Sequence, residues 1–275
     1  GDDLIFADGV TVTISSPGNY FSIVEVDDTA NGQGGNDQVY GNWGNDQIWG
    51  GKGDDTIDGG QGDDIIRSEN GFDVIAGQDG ADQIWAGADD DQVDGGDGAD
   101  IIWGGDGIDT IHGNAGADEI HGDAGPDKIY GDEDSDTIYG DSDPDTIYGG
   151  GDADVIYAGA GNNLVYGDDK PGDNTGAAGS DTISALNDND TVYGQGGDDI
   201  ITVGDGNNVV DGADGVDTIT AGDGDHIIHG GIAGDVITVG HGDHEIHGEE
   251  GVDTIIAEDG NVIVYGGGSG DVITL

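Results

Sequence analysis

Gly104-Gly105-Asp106-Gly107-Ile108-Asp109-Thr110-Ile111-His112 decides the fold, because the chain keeps repeating it. Stepping by nine from Asp37 to Asp271 visits 27 positions, and Asp occupies 21 of them. Two residues further on, 26 of the 27 positions are Ile or Val, Asn174 being the exception. Two residues before, Gly fills 19 of the 27. A fixed period of this kind is the mark of a repeat architecture in which each unit stacks on its neighbours. A disordered acidic tail has no reason to place a β-branched residue every nine positions without slippage, so residues 32–275 are expected to be ordered when a cation is present.

The composition demands that cation. Asp and Glu number 61 against 4 Lys and Arg in 275 residues, a formal net charge of −57. Such a charge opposes compaction unless something cationic neutralises it. It also makes nucleic acid and anionic membranes poor partners. There is no Cys to staple the fold and no apolar run long enough for a transmembrane segment. The chain opens Gly1-Asp2-Asp3 without a signal-peptide pattern and contains no Met, as expected of a processed product or an excised segment.

The unit at 104–112 fits G-G-x-G-x-D-x-U-x, with U apolar, and so resembles the Ca²⁺-binding nonapeptide repeat of the RTX (repeats-in-toxin) family. The resemblance covers about nine-tenths of the chain and implies an all-β fold: a right-handed parallel β-roll, or β-solenoid, of stacked 18-residue coils with calcium ions in the turns. Gly supplies the φ > 0 turn geometry, the turn presents backbone carbonyls, and the sixth-position Asp adds a carboxylate. Together these offer hard oxygen ligands, of which Ca²⁺ takes six to eight. The x-U-x triplet is a short strand with U inward. By resemblance each ion lies between stacked turns and takes an Asp from both, pairing Asp37 with Asp55, Asp55 with Asp73, and Asp46 with Asp64. The implied metal ligands are Asp37, Asp46, Asp55, Asp64, Asp73, Asp82, Asp91, Asp100, Asp109, Asp118, Asp127, Asp136, Asp145 and Asp154, then Asp181, Asp190, Asp199, Asp217, Asp235, Asp253 and Asp271. One Ile or Val per nine residues cannot offset the entropy of ordering them, so folding and metal binding should be one event.

Four stretches follow from the pattern. Residues 1–31 carry the alternating segments Val10-Thr11-Val12-Thr13-Ile14 and Tyr20-Phe21-Ser22-Ile23-Val24 around Ser16-Pro17-Gly18-Asn19, which reads as a strand pair, a hairpin or irregular first coil. It serves as a cap or as a strand offered to a partner. Residues 32–166 are the regular array. Residues 167–180 break it, with Gly172 and Asn174 where Asp and an apolar residue belong. They read as a surface loop replacing one strand, with the coil count kept and Asp181 stacking 18 residues after Asn163. Residues 181–275 continue the same solenoid as a second array. One edge there stays regular from Asp181 to Asp271, whereas the other runs Asp190, Asn208, His226, His244, Val262. Imidazole and Val cannot replace a carboxylate for Ca²⁺, so this second ladder is expected to weaken or stop, unless Asn207, Asp225 and Asp243 shift in.

Other features have plain readings beside sharper ones. His244-Glu245-Ile246-His247 falls one residue short of the helical H-E-x-x-H zinc motif, and His226/His244 and His229/His247 are expected to stack outward on strands. Trp85, Trp103, His121, Tyr139 and Tyr157 on one face, and Tyr130, Tyr148 and Tyr166 on the other, form stacking ladders or a sugar- or partner-binding surface. Thr182/Ser184, Ile200/Thr202, Thr218/Thr220, Val236/Thr238, Thr254/Ile256 and Val272/Thr274 make an uncharged outward array resembling those of ice-binding solenoids, though these are also good strand residues. No nucleophile motif appears, so no enzyme activity is expected. The expected role is that of a secreted, extracellular or cell-surface structural protein, self-associating head to tail or continuing covalently in a larger adhesin, toxin or surface-layer protein. Ice or glycan binding, or an accessory module of a secreted toxin or enzyme, are the alternatives.

Overall fold

The computed structural model describes the backbone of residues 4–7, 11–13 and 20–23, and residues 29–169, 178–268 and 270–275 in full. The chain divides into two compact units, Gly1–Glu133 and Asp134–Leu275. Each is all-β among its described residues, with two parallel sheets whose strands alternate along the chain. In the first unit one sheet stacks Gln38–Trp43, Thr56–Gln61, Val74–Asp79, Gln92–Asp97, Thr110–Ala115 and Lys128–Glu133. The opposite sheet stacks Gln47–Lys52, Ile65–Asn70, Gln83–Ala88, Ile101–Asp106 and Glu119–Ala124. Partners are 18 residues apart, as in Gln83↔Ile101 and Gln92↔Thr110, so two nonapeptides make one coil.

The period-2 geometry of a strand explains the core. The apolar residue two after each Asp points inward: Ile48, Ile66, Ile84, Ile102 and Ile120 from one sheet meet Ile57, Ile75, Val93, Ile111 and Ile129 from the other, all at most 2 % exposed. Their neighbours point out and stack along the roll. Arg67 lies over the Trp85 ring at 4.1 Å, and Trp85 stacks on Trp103 at 4.6 Å. Tight turns close each rung. At Gly53 φ is +118°, and a Cβ there would strike the carbonyl of Gly35 one coil away, so both the conformation and the close approach require Gly.

Thr11–Thr13 and Tyr20–Ile23 do not pair with each other. Thr11–Thr13 pairs in parallel with Thr29–Asn31, while Tyr20–Ile23 pairs in parallel with Leu4–Ala7 and with Gln38–Trp43. The two segments therefore lie in opposite sheets as rungs of the solenoid, which corrects the hairpin reading: the Tyr20↔Gln38 step already has the 18-residue offset of a coil. The turn at 16–19 lies outside the described residues.

The second unit follows the same plan with one altered coil. Val155 pairs with Thr182 and Leu164 with Thr191, a step of 27 residues instead of 18. The backbone N–H groups of Thr182 and Thr191 donate to the carbonyls of Asp154 and Asn163 at 2.8 Å. The irregular stretch thus adds nine residues to one coil instead of replacing a strand, and Asp181 stacks on Asp154, not on Asn163. Gly172 and Asn174 lie outside the described residues. At the base of the loop, buried Asp168 accepts the N–H groups of Gly179 and Gly196 at 2.8 Å each. The extra residues also re-phase the outer ladders: Tyr148 stacks on Tyr166 and Tyr166 on Tyr193, whereas Tyr157, stacked on Tyr139, faces Ser184.

Candidate metal centre

The sixth-position carboxylates are not on the surface. Asp55, Asp64, Asp73, Asp82, Asp91, Asp100 and Asp109 in the first unit are 0–1 % exposed, and so are Asp154, Asp181, Asp190, Asp199, Asp217, Asp235 and Asp253 in the second. Each uses one oxygen in the same way. Oδ1 accepts the backbone N–H of the equivalent residue one coil earlier, as from Asp37 to Asp55 at 2.8 Å, Asp55 to Asp73 at 2.6 Å and Asp199 to Asp217 at 2.8 Å. The pairs expected from the repeat, Asp37 with Asp55 and Asp46 with Asp64, are thus real neighbours, the second at 2.7 Å. Asp271 is less buried than the others and accepts the N–H of Asp253 at 3.1 Å.

The second oxygen is what makes this a site. Oδ2 of Asp55, Asp64, Asp82, Asp91, Asp100, Asp109, Asp154, Asp181, Asp199, Asp217 and Asp235 is buried and accepts no hydrogen bond. Leaving one such acceptor unpaired is costly, and a charged one more so. Those oxygens share a cradle with backbone carbonyls. A Cβ added to Gly50 would lie 2.5 Å from Asp55 Oδ2 and 3.0 Å from Ser68 O; at Gly104 it would lie 2.6 Å from Asp109 Oδ2 and 2.8 Å from Gly122 O. The same convergence recurs at Gly230, with Asp235 Oδ2 at 2.6 Å and Gly248 O at 2.9 Å. A carboxylate oxygen of one coil and a carbonyl oxygen of the next therefore meet beside a glycine. Gly50, Gly104 and Gly230 do not adopt the positive φ of Gly53 or Gly105; the first glycine of the motif is needed for space. Sequence reasoning missed that role, although its signal is visible as a glycine five residues before the Asp.

Burial pushes these carboxyls far above the usual range. Asp55 and Asp82 rise to about 7, Asp64, Asp91 and Asp199 to about 8, and Asp154 to about 9. Desolvation is the largest cause in each, and neighbouring carboxylates add to it, such as Asp73 and Asp37 beside Asp55. Two things relieve such a site: a proton on each carboxyl, or a cation among the oxygens. The donors are all hard oxygens, the set that Ca²⁺ prefers. Among the described residues no three His, Asp or Glu side chains converge on a point, so a cation here would be held by carbonyls with one or two carboxylates instead of an acidic cage. The residues fit calcium, which supplies the positive charge that these oxygens lack.

The pattern of the RTX calcium-binding nonapeptide repeat, in its form with 4 copies, matches residues 25–57, 40–75, 58–93, 69–102, 94–129, 112–147, 130–165, 175–210, 202–237 and 247–275. The chain belongs to this family. No curated protein matches the RTX chain. A solved structure similar to it is that of a hyperactive, Ca²⁺-dependent, β-helical antifreeze protein from an Antarctic bacterium; the two are 21 % identical, with 99 % of this chain and 83 % of that one covered at a TM-score of 0.34. Among the described residues there is no helix long and apolar enough to cross a membrane; the described repeats form only strands and turns.

The histidines separate into two groups. His229 and His247 stack outward as expected, with ring centroids 4.6 Å apart, and are bonded to Glu249 and Glu245 at 2.8 and 3.1 Å. His226 and His244 also stack, at 5.1 Å, but they are 1 % and 2 % exposed and occupy the Asp position in the turns. That corrects the outward placement expected for them, and it leaves H-E-x-H with one imidazole inside the roll and one outside. Burial holds the His226 imidazole below its usual pKa. Asn207, Asp225 and Asp243 do not shift in. They form an exposed ladder in which each side-chain oxygen accepts the N–H one coil later, Asn207 from Asp225 at 3.0 Å and Asp225 from Asp243 at 2.9 Å.

Proposed function

We propose that this RTX chain is a secreted, non-catalytic structural module that folds into a rigid β-roll when it meets extracellular calcium, and serves in a filament, matrix, surface layer or adhesin. The observation that carries this reading is the row of buried, unpartnered Asp Oδ2 atoms. A chain of net charge −57 with such a row lacks a reason to fold where calcium is scarce. Extracellular modules bind Ca²⁺ with Kd of about 10⁻⁴–10⁻³ M, so export would switch folding on. Circular dichroism during a Ca²⁺ titration from chelator, with light scattering recorded on the same sample, tests both halves of the proposal. A coil-to-β transition supports calcium-coupled folding, and scattering that rises with it supports assembly. A chain that is β-rich in chelator and indifferent to Ca²⁺ overturns the first half; a clean transition with flat scattering removes self-assembly.

One surface favours a second reading. In the second unit Thr182, Ile200, Thr218, Val236, Thr254 and Val272 stand in register in one column, and Ser184, Thr202, Thr220, Thr238, Ile256 and Thr274 in the next. With strands about 4.8 Å apart and alternate residues about 7 Å apart, this uncharged strip is roughly 25 Å long. Its area is far below the roughly 800 Å² per partner of a stable protein interface, so it suits a regular solid or a glycan better than a second highly charged copy. Thermal hysteresis that disappears in Thr220→Lys/Thr238→Lys would support an ice-binding face; its absence in the wild type would remove that reading.

A further inference from the structure

We infer that from Asn208 onward calcium occupies one edge of the roll only, and that the turns closed by Asn208, His226 and His244 hold together without metal. This rests on the calcium reading above.

The two edges of this unit are built from different parts. One runs through Asp154, Asp181, Asp199, Asp217, Asp235 and Asp253, each Oδ1 taking the N–H of its predecessor, and each Oδ2 unpartnered. The glycines five residues before them, or Gly167 in the lengthened coil, carry the open cradle. The opposite edge runs through Asn163, Asp190, Asn208, His226 and His244. Its near side copies the carboxylate. Asn208 Oδ1 accepts the N–H of Asp190 at 2.8 Å, His226 Nδ1 that of Asn208 at 3.2 Å, and His244 Nδ1 that of His226 at 3.3 Å. Asp190 keeps a buried, unpartnered Oδ2, but from Asn208 on the far side does the opposite of a carboxylate. Asn208 Nδ2 donates to Gly204 O, His226 Nε2 to Gly222 O and His244 Nε2 to Gly240 O, each at 3.1 Å.

An Asp offers an oxygen there and needs a cation. Asn and neutral His offer an N–H and consume a turn carbonyl themselves. With Nδ1 accepting, each imidazole must carry its proton on Nε2, so the hydrogen bonding of the buried ring is complete and uncharged. The space is altered too. Five residues before Asp190, Asn208, His226 and His244 stand Ala185, Val203, Ala221 and Val239, all buried. A Cβ alone does not decide the matter, because Ala86 precedes Asp91, whose Oδ2 is still unpartnered. The deciding change is at the tip of the side chain, from an unsatisfied oxygen to a satisfied N–H.

The test is a crystal structure of the full chain grown with Tb³⁺ in place of Ca²⁺, with the metal located by its anomalous scattering. Peaks beside Asp181, Asp199, Asp217 and Asp235, and none within ligand distance of Asn208, His226 or His244, are expected. Peaks beside Asn208, His226 or His244 overturn the inference while leaving the calcium reading intact; a folded roll without peaks on either edge overturns both. Native mass spectrometry of variants gives an independent readout. His244→Asn should keep both the bound-ion count and the melting temperature, because the amide reproduces the bonds that Asn208 makes. Val239→Gly/His244→Asp should raise the bound-ion count by at least one, and an unchanged count in a folded variant would count against the inference.

Discussion

Removing calcium should make this protein acid-stabilised, the reverse of ordinary acid denaturation. Asp91 rises to about 8 in the folded chain and Asp100 to about 6, through burial first, against about 3.9 for an unperturbed Asp. The folded roll therefore binds more protons than the unfolded chain between about pH 4 and pH 8. The calcium-free fold gains stability as pH falls through that window, and loses it as pH rises through the folded-state values. At roughly 1.4 kcal/mol per pKa unit, a carboxyl like that of Asp91 disfavours the metal-free fold by about 6 kcal/mol above pH 8. Three such groups would exceed the roughly 5–15 kcal/mol that stabilises a whole domain, and the roll contains many. Calcium-free protein prepared by dialysis should be coil at pH 8 and gain β signal by circular dichroism at pH 5, with a higher urea midpoint at the lower pH. Equal coil content at both values, or a more stable fold at pH 8, would refute the account of the buried carboxyls.

Other expectations follow from the same geometry. Calcium binding at pH 7 should release protons, measurable as buffer-dependent heat in calorimetry, because a cation replaces protons on carboxyls such as Asp64 and Asp199, each raised to about 8. Gly104→Val should weaken calcium binding without touching a ligand side chain, since the new branch would meet Asp109 Oδ2 and Gly122 O; a titration followed by circular dichroism should show its midpoint at higher Ca²⁺. Asp109→Asn keeps the acceptor for the Asp91 N–H at 2.7 Å and removes the orphan charge, so the variant should bind less calcium yet unfold less readily than wild type in chelator at pH 8. Ile111→Ala empties a fully buried position and should cost about 2–5 kcal/mol in the calcium-loaded state, read from urea unfolding.

The sequence by itself determined the nine-residue period, the inward column of Ile and Val, and the Asp positions, because a strand alternates its faces and a stacked coil must repeat whatever it buries. Ile111 and Asp109 were legible for that reason. Two things were settled only in three dimensions. The loop adds nine residues, a full repeat unit, so the spacing of Asp and Ile downstream looks undisturbed while the two edges exchange: Asp181 follows Asp154 and Asp190 follows Asn163. A period of nine cannot distinguish one edge from the other, whereas a coil of 27 residues can. The fate of His226 and His244 was hidden similarly. Their position said that a carboxylate was missing, but only the folded turn reveals that Nδ1 takes over the task of Oδ1 while Nε2 meets a carbonyl at 3.1 Å, because which ring atom faces which backbone group depends on the coil stacked next to it.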